Sequence, residues 1–115
     1  MELEEVREYC LSKKGVTEHF PFDEFVLVFK VGGKMFLLTS IKERGDYNLK
    51  CDPEKAIELR EKYESVKPGY HMNKQHWNTV TVDGSFSKKE LIEWIDDSYE
   101  LVFNSLTKKI KESIL

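Results

Sequence analysis

The sequence predicts an α+β two-layer sandwich: a mainly antiparallel sheet with helices on one face, in the order α-β-β-β-α-(β)-β-α. Three observations carry this. Two β-rich runs, 25–31 and 34–39, are separated only by Gly32-Gly33, the chemistry of a tight hairpin. Two helix starts are written out, Asp52-Pro53 and Ser87-Lys88-Lys89-Glu90. The helical segments carry apolar stripes that need a sheet face to cover. With 115 residues, of which 40% are hydrophobic and 12% aromatic, one domain spanning 1–115 and one core are expected.

The elements follow in order. Residues 2–14 read as a helix, with Leu3, Val6 and Cys10 on one stripe and Gly15 as its stop. Phe20-Pro21-Phe22 reads as a linker, because Pro21 disfavours helix at the residue before it. The 25–39 hairpin follows, then a polar loop, Ser40 to Gly45. The segment 46–51 alternates, with Tyr47, Leu49 and Cys51 inward and Asn48 and Lys50 outward. The next helix runs from Pro53 through Tyr63, with Ala56, Leu59 and Tyr63 as its buried stripe. Lys67-Pro68-Gly69-Tyr70 reads as a turn, with a short extended piece between Tyr70 and His76. Residues 78–82 form a strand with Val80 and Val82 inward, closed by Asp83-Gly84. The last helix carries Leu91, Ile95, Tyr99, Val102, Leu106 and Ile110, and is expected to kink or restart near Thr107.

Several functions are excluded or disfavoured. A net charge of −3 argues against a polybasic nucleic-acid binder. The charge is uneven, however: residues 67–89 hold four lysines against Asp83 alone, while 1–8 and 93–100 are acidic. The first residues, Met1-Glu2-Leu3-Glu4-Glu5, are unlike a secretory signal, and no apolar run is long enough to span a membrane. A cytoplasmic location is expected, with Cys10 and Cys51 as buried thiols and no disulfide. His71 and His76 have no carboxylate or cysteine beside them, so neither a metal nor a cofactor is expected. No nucleophile stands next to a base, and Gly32-Gly33 lacks the context of a phosphate loop. The chain reads as a non-enzyme.

The segment richest in recognition chemistry is Tyr70-His71-Met72-Asn73-Lys74-Gln75-His76-Trp77-Asn78. Alternation puts Trp77 opposite Asn78, Val80 and Val82, on the outer face with Thr79 and Thr81. Asn48 and Lys50 belong to the same helix-free face. Val26, Val28, Met35 and Leu37 join them, because both faces of the first hairpin are apolar. A helix-free face carrying these apolar groups is a candidate contact patch, the alternative being that a segment such as Phe20-Pro21-Phe22 covers it. Tyr70, after Pro68-Gly69, is expected to fold back on the core.

Four motifs in order resemble one family: Phe20-Pro21-Phe22; Val26 through Phe36 with its Lys30-Val31-Gly32-Gly33-Lys34; Asn48-Leu49-Lys50-Cys51-Asp52-Pro53-Glu54; and Lys67 through Val80. They are similar to the MmcQ/YjbR family of small bacterial proteins, over nearly the whole chain. The resemblance implies a single domain with a fold like frataxin/CyaY proteins and type III secretion chaperones. It also implies DNA binding through a "double wing" arrangement, and no agreed catalytic role for any residue. On this reading Lys50, Lys67 and Lys74 contact phosphate, Trp77 stacks on a base, and Asn48, Asn73, His71 and His76 hydrogen-bond. The alternatives are a protein-interaction module, binding another protein or a second copy through the open sheet face, and a small-ligand site around His71 and His76.

Overall fold

The computed structural model describes residues 1–115. Its elements are α1 (Leu3–Leu11), β1 (Val16–His19), β2 (Val26–Val31), β3 (Lys34–Ser40), β4 (Asp46–Lys50), α2 (Pro53–Lys62), β5 (Val66–Pro68), β6 (Trp77–Thr81), α3 (Lys88–Asn104) and α4 (Lys108–Ile114). All six strands form one antiparallel sheet in the order β1-β2-β3-β4-β6-β5. The α+β two-layer arrangement is the one the sequence predicts. No helix is long and apolar enough to cross a membrane.

Local chemistry sets most boundaries. Gly32 and Gly33 turn the β2–β3 hairpin with φ of 58° and 82°, the left-handed values that a two-residue turn matching strand twist requires. Asp52 caps α2, its carboxylate accepting from the Glu54 and Lys55 amides, with Pro53 at the first helical position. Ser87 and Glu90 close a reciprocal box at the start of α3. The helical run breaks after Asn104 and restarts with Thr107 as the cap of α4.

Three details depart from the sequence reading. α1 ends at Leu11, not 14, and the chain turns through Gly15 into β1, an unpredicted edge strand paired with β2. The short extended piece lies earlier than expected, at Val66–Pro68, where Lys67-Pro68 reads as turn chemistry. Its edge position tolerates a proline that cannot donate to the ladder. The third is a β-bulge. Phe29 pairs with Leu37 and Lys30 with Met35, so Phe36 is an extra residue in β3. Phe36 and Leu37 therefore both enter the helix-side core, and Leu38, not Leu37, lies on the helix-free face. Beyond the Leu37–Leu49 pair, β3 and β4 are bridged by α3. The Ser98 hydroxyl accepts from the Lys50 amide at 2.8 Å and donates to the Phe36 carbonyl at 2.5 Å.

The main core lies between the sheet and the helices, centred on Val6, Phe29, Phe36, Leu37, Tyr47, Val80, Leu91, Ile95 and Val102. Trp94 completes it in an aromatic group with Tyr63 and Phe86, at centroid distances of 5.4 and 4.8 Å. Cys10 and Cys51 are free and buried, and burial pushes their thiols up to about 12 and about 11. Native protein is therefore expected to resist alkylation by iodoacetamide near about pH 8 and to react promptly once unfolded. Rapid labelling of the folded chain, read by intact mass, would contradict that burial.

Candidate ligand-binding groove

The helix-free face is read off the strand register. One row runs His19, Val28, Leu38, Asn48, Thr79, Lys67 across all six strands. The next holds Thr17, Lys30 and Met35, and Lys50 stands opposite Trp77. Alternation thus assigns the direction of Asn48, Lys50, Trp77 and Thr79 as the sequence predicts.

Exposure is a different matter. Trp77 retains 8% of its surface and forms a second hydrophobic cluster with Val28 and Leu38, with Val26, Met35 and Met72 packed against it. Trp77 is thus not the accessible stacking group that the sequence reading made it. The 69–76 loop folds over the sheet and seats Met72 on the cluster. Tyr70 is corrected in the opposite sense: it does not fold back on the core but stands 68% exposed.

The loop is held by side chains that sequence reasoning gave to a ligand. The Lys74 ammonium donates to the Gly69 carbonyl at 2.8 Å. The Asn73 side-chain oxygen accepts from the Gln75 and His76 amides. The His76 carbonyl accepts from the Cys51 amide. Arg60 of α2, which sequence reasoning missed, donates to Asn78 Oδ1 at 2.7 Å and to the carbonyls of Lys74 and Trp77. Gly69 lies against Trp77, where an added Cβ would stand 2.7 Å from Trp77 Cβ and 3.0 Å from its carbonyl oxygen. Neither neighbour is a flexible side-chain end. Gly69→Ala is expected to cost about 1–3 kcal/mol by overpacking, read as a lower urea midpoint. An unchanged midpoint would mean that the loop is not seated as described.

Between this loop and the Phe20–Phe25 connection lies a groove of about 630 Å³. Val26, Leu38, Asn48 and Thr79 line it from the strands, and Tyr70, His71 and Met72 from the loop. Phe22 and Phe25, 64% and 40% exposed, line it from the other connection. Phe20-Pro21-Phe22 thus borders the face instead of covering it. A hydrogen-bond relay fixes the floor: the Tyr70 amide donates to Thr79 Oγ1 at 2.9 Å, and that hydroxyl donates to Asn48 Oδ1 at 2.5 Å. His71 has a left-handed backbone, φ 58°, uncommon for a non-glycine residue, and its ring lies 4.0 Å from that of Tyr70. Asp23, Lys42, Glu43 and Asp46 supply the charges.

Of the eight residues proposed from sequence, only Asn48 and His71 line this groove. Lys67 is exposed on the edge strand and Lys50 is half-buried, both on the same face but outside the groove. Lys74 and His76 are exposed on the loop. His71 and His76 therefore do not share the groove. No three His, Cys, Asp or Glu side chains stand close enough together to hold a metal ion.

The sequence matches the YjbR family model over residues 11–101. The chain belongs to the YjbR family. Its relatives in that family include YbdF of Escherichia coli O157:H7, 41% identical over 96 residues, covering 83% of this chain and 79% of that protein. YjbR of Escherichia coli K12 is 30% identical over an alignment covering 100% of this chain and 98% of that one. Among solved structures, Deinococcus radiodurans DR2400, a DUF419 domain, superposes with a TM-score of 0.92 at 39% identity, covering 97% of this chain and 86% of that one. A Pseudomonas syringae protein superposes at 0.75 and 29% identity, covering 89% of this chain and 99% of that one. The family's architecture thus extends across the groove and both segments that border it.

Proposed function

We propose that this YjbR-family chain is a non-enzymatic binding domain that takes a small ligand in the groove on its helix-free sheet face. The observation that carries this reading is the convergence of three exposed aromatic rings, Phe22, Phe25 and Tyr70, on a concave site whose floor is fixed by hydrogen bonds. Exposed aromatics around a cavity of this size suit a ligand of modest mass. The non-enzymatic reading is supported by the chemistry at hand: both thiols are buried and held protonated, the Ser40 hydroxyl accepts from the Lys42 and Glu43 amides, and the Thr79 hydroxyl is engaged with Asn48 and the Tyr70 amide.

Nucleic acid is the second reading, and one observation favours it. Lys30, Lys50 and Lys67 lie on the same sheet face, beside the groove. In that "double wing" reading Tyr70 takes the stacking role that buried Trp77 cannot fill.

Amide spectra of labelled protein separate the two. The groove reading expects an organic fragment library to shift Val26, Leu38, Asn48, Tyr70 and His71. Salt-sensitive shifts at Lys30, Lys50 and Lys67 with oligothymidylate, together with silence of the groove to fragments, would replace it with the nucleic-acid reading.

A further inference from the structure

We infer that the groove takes a small organic cation, an ammonium or guanidinium group carried on an apolar chain; this rests on the groove being the binding site. Three features of the lining agree on that class.

The first is the aromatic rim. Ring faces carry negative potential and attract cations lying within about 6 Å of their centres. The chain itself supplies an example inside the groove, where the Lys42 ammonium stands 5.1 Å from the centre of the Phe25 ring. Tyr70 and Phe22 present further exposed rings with no such lysine over them.

The second is charge. The lining holds three carboxylates, Asp23, Glu43 and Asp46, against the single ammonium of Lys42, with the His71 imidazole beside them. None of the three is in an ion pair, whereas the chain's six ion pairs use other acids. One oxygen of Asp23 accepts from the Phe25 and Val26 amides, and one oxygen of Asp46 accepts from Thr81. Each of these carboxylates is thereby oriented and keeps its second oxygen available. Lys30, Lys50 and Lys67 stand outside the lining.

The third is spacing. The carboxylates are spread around the groove and do not form a metal-ligating group. A metal ion needs converging oxygens at short range, whereas an organic cation needs dispersed acceptors and apolar contact for its chain. Val26, Leu38 and Met72 supply that contact.

Isothermal titration of the whole chain with pentylguanidinium, pentanol and pentanoate tests this, with amide spectra recorded for each. The expected result is binding of pentylguanidinium, shifts at Asn48, Tyr70 and His71, and markedly weaker response to the other two. Glu43→Gln with Asp46→Asn should lower affinity about tenfold together, and Tyr70→Ala about three- to tenfold. Both changes are at exposed positions, and unchanged circular dichroism would confirm that the fold is intact. Equal response to pentanol, or an unchanged affinity in the double variant, overturns the cationic assignment and leaves the groove as the site. Silence of the groove to all three probes removes the groove reading as well. Binding of a capped lysine-containing tripeptide without pentylguanidinium overturns the small-molecule assignment in favour of a peptide partner.

Discussion

Replacing Trp77 with alanine is expected to destabilise the fold by about 3–5 kcal/mol, the usual cost of deleting a buried indole. Trp77 is the largest member of the second cluster, which joins β2 and β3 through Val28 and Leu38 and carries the covering loop through Met72. Its loss leaves a cavity that the sheet backbone cannot close, because Lys50 and Trp77 remain in register across β4 and β6. The loop loses its seat as well, so amide exchange at 69–76 should accelerate more than elsewhere. Equilibrium urea unfolding reads the first effect and hydrogen exchange the second. A loss below about 1 kcal/mol would mean that the indole is not packed in this way.

Ser98→Ala is expected to cost about 2–4 kcal/mol although it removes a single oxygen. Ser98 is fully buried, and its hydroxyl is the hydrogen-bond partner of both the Lys50 amide and the Phe36 carbonyl. The β3–β4 register runs from Leu37–Leu49 to Thr39–Tyr47, and beyond it these two groups meet through the hydroxyl, so alanine leaves a donor and an acceptor unsatisfied in the interior. The Lys50 amide should then exchange faster than its neighbours in β4. An Ser98→Ala variant with wild-type stability and a protected Lys50 amide would refute the bridging role.

Structure set by near neighbours was legible in the sequence. The β2–β3 turn, the α2 cap and the capping box of α3 are determined by neighbours within four residues, and each forms as read. β1 and β5 are short edge strands whose extended shape comes from a partner strand, so Val-Thr-Glu-His and Val-Lys-Pro carry little signal of their own. The bulge at Phe36 is a matter of register with β2, and it exchanges the faces of Leu37 and Leu38 without a local mark.

The candidate site follows the same division. Alternation gave the correct face for Asn48, Lys50, Trp77 and Thr79, because direction is a property of the strand. Exposure is not, since it depends on what folds over. Met72 covers Trp77, and the covering loop carries Tyr70 outward, so the two aromatics exchange the roles expected of them. Asn73 and Lys74 have ligand chemistry that the loop uses on itself. Arg60 was out of reach because its partners lie 14 to 18 residues away on another element.

The groove between the Phe22–Phe25 connection and the Tyr70–Met72 loop is proposed as the place where this domain binds. Its most direct test is a crystal structure of the whole chain with pentylguanidinium. Density is expected over Asn48, with the guanidinium between the carboxylates of Glu43 and Asp46 and the chain against Leu38 and Met72. A ligand seated instead beside Lys50 and Lys67, with the groove empty, would contradict it.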